Sequence, residues 1–304
     1  MDISADTISL DRPFATVPEL IEHWATQRPD HPALIQDARR LSFAQLNERM
    51  NRVAAALQRD GIAPGSSVAI CAFNSIEYAV VFLGALRAGV AVAPLAPSAS
   101  AESLLTMLDD ASPRLIFLDA PAAQHLSSAM ARLPCPSLSL DQTGAGTLSE
   151  WLEDAAVAPV AIQPDWAFNI IYSSGTTGEP KGIVQSHAMR WAHVRRSAAY
   201  GYDDAITLIS TPLYSNTTLV AFLPTLALGS TVVLMGKFEA GSTCAWPSST
   251  ASPIPCWCRC NTSESWRAKT STSTTSATFV TSSAPARHSA RRSKPMCWRA
   301  GQAA

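Results

Sequence analysis

The chain has 304 residues, 47% apolar and 15% charged, with a formal net charge of −1. A chain of this size buries one large core or two smaller ones. Near-zero charge supplies no basic field for nucleic acid, and 21 prolines against 14 glycines with no repeat exclude a collagen-like chain. The start carries Asp2, Asp6 and Asp11 and no apolar run, so no secretory leader is read and a cytoplasmic protein is expected. The most apolar stretch, residues 79–97, contains Arg87 and Gly89 and reads as buried core, not a membrane span.

The averages conceal a break. Residues 1–241 hold 15 Lys/Arg and 23 Asp/Glu, a net of −8, whereas residues 242–304 hold 8 Lys/Arg and one Glu, a net of +7. The second stretch also has 22 Ser/Thr, no Leu and five of the seven cysteines, so the two parts need separate arguments.

The first part alternates helices and strands. Thr16 with Glu19 and Ser42 with Gln45 form capping boxes that start helices running to about Arg28 and to Asp60-Gly61. Residues 67–73 read as a buried strand, 76–87 as a helix, 90–95 as a strand, 104–108 as helix and 114–118 as extended. Residues 119–165 read as a connection with one short helix near 148–154. A strand at 167–172 resumes the pattern, and an apolar helix at 219–228 precedes a strand at 231–235. This rhythm predicts an α/β fold with a parallel sheet covered by helices.

The strand at 167–172 runs straight into Tyr172-Ser-Ser-Gly-Thr-Thr-Gly-Glu-Pro-Lys-Gly182. Gly175 and Gly178 let backbone approach a ligand. Ser173, Ser174, Thr176 and Thr177 supply hydroxyl donors, and Lys181 a cation. Amides, hydroxyls and one amine after a strand make a phosphate cradle. The Walker pattern is excluded, because it needs four residues between its glycines and a Lys directly after the second. A polar turn is the bland alternative, but eleven ordered residues at a strand end are far more specific.

This run resembles the phosphate-binding signature of the adenylate-forming (AMP-binding) acyl-CoA synthetases, which include fatty-acid and aryl-acid CoA ligases, peptide-synthetase adenylation domains and luciferases. Further similarity lies in residues 16–30 with Pro32-Ala-Leu, in Leu41-Ser-Phe-Ala-Gln-Leu46, in Gly61-Ile-Ala-Pro-Gly65 with Val68-Ala-Ile70, and from Gly84 to Pro94. The resemblance covers about residues 14–240 and implies the N-terminal part of the adenylate-forming fold, with residues 1–241 as a partial domain. It implies that Ser173, Ser174, Gly175, Thr176, Thr177 and Gly178 grip the β- and γ-phosphates of ATP and that Lys181 neutralises them. It further implies magnesium, coenzyme A and a small-molecule carboxylic acid as reaction partners. His187 matches a family His near the next helix start, with helix capping an equal alternative. Pro212-Leu-Tyr-Ser-Asn216 resembles a motif facing the acyl pocket, so Tyr214, Ser215 and Asn216 are candidates to line it. Most relatives have His where this chain has Ser215, and the alternative is a plain turn with Ser215 or Asn216 as N-cap. No catalytic residue and no metal ligand set is assigned.

Three readings compete for residues 242–304. Cys256-x-Cys-x-Cys260 lacks the spaced pairs that zinc sites use, and His288 is distant. A disordered Ser/Thr/Arg tail fits poorly with its tryptophans and cysteines. The favoured reading is translation out of frame. Cys256-Trp257-Cys258 is TGY-TGG-TGY, which contains YTG-GTG, Leu-Val, one base back. Met296-Cys297-Trp298 likewise contains GTG-YTG, Val-Leu, so the missing leucines return whatever codons were used. Ordinary synonymous choices over residues 243–263 give Y-L-R-L-A-E-Q-H-R-V-T-H-T-M-L-V-P-V-Q-Y-Q, a helix followed by an apolar strand. The expectation is an inactive amino-terminal fragment with an irregular, out-of-frame tail. The rivals are a non-catalytic nucleotide- or acyl-binding remnant and an unstable product.

Overall fold

The computed structural model describes residues 10–141, 146–154, 156–174, 180–199, 202 and 205–236, and the backbone of residues 278–282. The cysteine run 256–260 and most of the stretch read as out of frame lie outside these residues.

Local chemistry starts the helices as predicted. In α1 (Val17–Gln27) the Thr16 hydroxyl accepts from the Glu19 N–H at 3.3 Å, and the Glu19 carboxylate accepts from the Thr16 N–H at 2.7 Å. The Ser42–Gln45 box opens α2 (Phe43–Arg59), between the hairpin β1 (Pro32–Gln36) and β2 (Arg39–Ser42) and the buried strand β3 (Ser67–Cys71). Then come α3 (Ile76–Arg87), β4 (Ala91–Leu95), α4 (Ala101–Ala111) and β5 (Ile116–Leu118). The region read as a connection holds α5 (Ala120–His125), β6 (Ser137–Ser139) and α6 (Leu148–Trp151). After it follow β7 (Ala167–Ser174), β8 (Pro180–Ser186), α7 (His187–Ala198), β9 (Ala205–Ile209), α8 (Asn216–Ala227) and β10 (Thr231–Leu234).

Two sheets result. One runs β6-β5-β3-β4-β7-β8, parallel throughout except for the antiparallel β7–β8 pair. The other runs β11-β9-β10-β1-β2, parallel through β9, β10 and β1. Its edge strand β11 (Thr278–Ser282) pairs antiparallel with β9 and lies inside the stretch expected to be irregular. That expectation is corrected for this one segment: Thr-Phe-Val-Thr-Ser is rich in strand-forming residues, and β9 offers an open edge. The β1–β2 and β7–β8 pairs are antiparallel as well.

The burial pattern explains the apolar runs. Val68 and Ile70 of β3 enter one core, while Ala69 and Cys71 enter a second core beneath α4 and α5. A strand covered on both faces has no polar side to show. Helix α3 is buried from Ile76 to Leu86, which accounts for the most apolar stretch without a membrane. Among the described residues no helix is long and apolar enough to cross one. At the turn into β10, Gly229 has φ +81°, and a Cβ there would meet the Trp24 ring at 2.6 Å. The Trp24 indole donates to the Ala227 carbonyl at 2.9 Å, so α1 is fixed on the end of α8.

Candidate functional site

The direction of the parallel strands decides where a site can form. Strands β3, β4, β5 and β7 end together at Cys71, Leu95, Leu118 and Ser174. Strands β1, β9 and β10 of the other sheet end at Gln36, Ile209 and Leu234. Open parallel sheets bind ligands beyond such ends. The glycine-rich run leaves the end of β7, and the Pro212–Asn216 turn leaves the end of β9.

Asn74, just past β3, links the two edges. Its Nδ2 donates to the carbonyls of Thr211 at 2.9 Å and Met235 at 3.2 Å, and its Oδ1 accepts from the Leu213 N–H at 2.8 Å. The Gln36 side chain at the end of β1 donates to the Asn74 carbonyl at 3.3 Å and accepts from the Ile76 N–H at 3.0 Å. Sequence reasoning passed over Asn74, because its partners are remote in the chain.

Ser173 and Lys181 are register partners at the mouth of the β7–β8 turn, and both are exposed. Ser174 and Pro180 form the last pair, while Gly175, Thr176, Thr177 and Gly178 lie outside the described residues, as does the side chain of Ser174. The strand beneath is anchored. The Tyr172 hydroxyl donates to the Asp110 carboxylate of α4 at 2.6 Å, and burial followed by that carboxylate raises the phenol's pKa. Opposite it, a Cβ on Gly182 would stand 2.9 Å from Asp110 Oδ2, so glycine lets the helix approach.

His187 is at the other end of the hairpin. Its neighbour Ser186 pairs with Ala167, and seven strand residues separate it from the turn. At about 3.3 Å per residue that is roughly 20 Å. Ser186, not His187, caps α7 by accepting from the Met189 N–H. The imidazole is buried edge-on against Phe168 at 5.0 Å, and burial pushes its pKa down to about 4, opposed weakly by Glu19. A neutral ring there packs the base of the hairpin. His193, further along α7, is half-buried, and its pKa is lowered by burial and then by Arg190 and Arg196.

Tyr214, Ser215 and Asn216 are partly buried at the start of α8. Ser215 occupies the N-cap position, but its hydroxyl makes no cap bond. The Asn216 side chain accepts from Arg190 Nη2 at 3.0 Å. Arg190 is only 2% exposed; it also donates to Asn169 Oδ1 at 3.0 Å and to Gln185, and lies 5.5 Å from the Phe168 ring centre. Burial, with no carboxylate partner among the described residues, brings its pKa down to about 10. Behind Tyr214 the Tyr78 phenol is fully buried, and its pKa is raised by burial, then by Cys71 and Tyr214. The Cys71 thiol is pushed up to about 12, chiefly by burial. Both groups stay neutral near pH 7.

The family model described as "AMP-binding enzyme" matches residues 21–248. The chain belongs to this family. Among AMP-binding enzymes it is 30% identical over 231 residues to the long-chain-fatty-acid–CoA ligase FadD13 of Mycobacterium tuberculosis, covering 73% of this chain and 45% of that one. It is 34% identical over 182 residues to tyrocidine synthase 2 of Brevibacillus parabrevis, covering 60% of this chain and 5% of that one. The inhibitor-bound N-terminal domain of FACL13 from Mycobacterium tuberculosis superposes with a TM-score of 0.65 at 28% identity, over 75% of this chain and 59% of that one. ATP-bound MatB from Rhodopseudomonas palustris gives a TM-score of 0.66 at 25% identity, over 75% and 47%. The chain thus spans less than half the length of the curated relatives named here.

Proposed function

We propose that the site served ATP-dependent activation of a carboxylic acid as its CoA thioester. The observation that carries this reading is the sequence Tyr172–Gly182 beginning at the end of parallel strand β7, with β8 bringing Lys181 back opposite Ser173. A carboxylate oxygen of the acid attacks the α-phosphorus of ATP. An O–P bond forms, the bond to the β-phosphate oxygen breaks, and pyrophosphate leaves. The thiol of coenzyme A then attacks the acyl carbonyl and expels AMP. Ser173, Ser174, Gly175, Thr176, Thr177 and Gly178 surround the departing phosphates with hydroxyls and amides, and Lys181 offsets their charge. Fixed donors of this kind act where charge develops. Magnesium accompanies the nucleotide in this reading. Among the described residues no three His, Cys, Asp or Glu side chains converge on a metal position, so no step is assigned to it.

The acid lies against Tyr214, Ser215 and Asn216. We infer that the acid is a fatty or aryl acid. The relatives named as fatty-acid ligases support the same class.

Residues 242–304 are proposed to be out of frame. The forced Leu-Val and Val-Leu readings support this, as does a family match that stops at residue 248, just past the change in composition. The lysine that the family brings from its C-terminal domain to adenylation then has no counterpart, because Lys269 and Lys294 lie in the out-of-frame stretch, and the chain as encoded holds the phosphate end of ATP without completing adenylation. The loop is tested in a chain with the frame restored after Gly241. Lys181→Ala and Thr176→Val should each slow carboxylate-dependent exchange of pyrophosphate into ATP on the order of 100-fold. Unchanged rates in both variants would overturn the assignment.

A further inference from the structure

We propose that Asn74 is a positioning residue that registers the Tyr214–Asn216 turn against the sheet carrying the glycine-rich turn. The inference rests on the acid-activating reading of these two turns. That chemistry needs one molecule to reach both, with its acyl part on one and its phosphate part on the other. The turns belong to different sheets, at the ends of β9 and β7. Their relative placement therefore depends on what ties the sheets together at this edge.

Asn74 does so with a single carboxamide. Both amide protons are used, on Thr211 and Met235 just past β9 and β10 of the second sheet, and the oxygen holds the Leu213 N–H. The residue is buried, so water does not compete for these bonds. Its orientation is dictated by its partners: reversed, the oxygen would face two carbonyls and the amine an N–H. Thr211 and Leu213 flank Pro212 directly before Tyr214. The far end of the same turn is held through Asn216 by Arg190. Bonds at both ends thus fix the turn that carries Tyr214 and Ser215. No other side-chain type offers two donors and one acceptor in this compass except glutamine, whose extra methylene would move them.

The test uses the 304-residue chain and does not depend on activity. Hydrogen exchange is followed through the Leu213 amide, through β9 and through β3. Asn74→Ala should raise exchange at Leu213 about tenfold while both strands keep wild-type protection. Asn74→Asp is the second variant. Its ionised carboxylate would face the Thr211 and Met235 carbonyls in a buried place, which raises its pKa. When protonated it can donate to one carbonyl and accept from Leu213. Protection of Leu213, relative to wild type at the same pH, should therefore recover in Asn74→Asp as pH falls from about 7 to about 5, and should not recover in Asn74→Ala. Wild-type exchange in both variants would overturn the proposal. So would loss of protection throughout β9 and β3 in both, since the residue would then hold up the whole fold. Failure of pyrophosphate exchange in the frame-restored chain is a separate outcome, which removes the reaction and leaves this linkage intact.

Discussion

His187 shows how burial changes what a residue can do. In the unfolded chain its imidazole takes up a proton near the ordinary 6.5, but folded it does so only near 4. Between these values the unfolded state binds more protons. Stability is therefore intact above about pH 6.5 and falls as pH drops toward 4, by at most about 3 kcal/mol. His187→Phe should flatten this dependence, measured as the difference in urea midpoint between about pH 7 and about pH 5. The slope does not vanish, because the pKa of His193 is lowered too. An unchanged slope would show that the ring is not buried as described. His187 was singled out in the sequence by its match to a family His near the next helix start, but such a match says nothing of how deeply the ring is buried. Arg190 and Asn74 carried no signal at all. Their meaning comes from Asn169, Gln185 and Asn216 in one case and from Thr211, Leu213 and Met235 in the other, none of them adjacent in the chain.

At the scale of elements, legibility followed locality. Both capping boxes are formed as read, because donor and acceptor lie three residues apart. The buried strands 67–73 and 90–95 were legible as apolar runs with no polar face. The antiparallel β7–β8 hairpin was not, since its polar turn reads like any strand-to-helix connection. Its seating depends on Tyr172, whose hydroxyl reaches Asp110 on α4. Tyr172→Phe should lower stability by about 1 kcal/mol, the net worth of one such hydrogen bond. The urea midpoint should fall with an unchanged slope. A midpoint equal to wild type would mean that α4 does not anchor the hairpin.

For the whole molecule, the six-stranded sheet ends on β8, where Ile183 and Val184 are 51% and 58% exposed. Apolar residues on an edge strand invite pairing with another chain, and a lysine there discourages it. The 304-residue chain should self-associate as its concentration rises, and Val184→Lys should reduce this in light scattering. Equal scattering by both would place the sticky surface elsewhere. The coding DNA bears on the remaining 63 residues: one base inserted or deleted near Gly241 should restore a long open frame. The most direct measurement is carboxylate-dependent exchange of labelled pyrophosphate into ATP, run on the 304-residue chain and on the frame-restored chain with fatty and aryl acids. The account predicts exchange by the restored chain, loss of it in Lys181→Ala, and none by the 304-residue chain. Robust exchange by the 304-residue chain, abolished by Lys181→Ala, would contradict the reading of residues 242–304. Wild-type exchange by the restored Lys181→Ala chain would contradict the phosphate site itself.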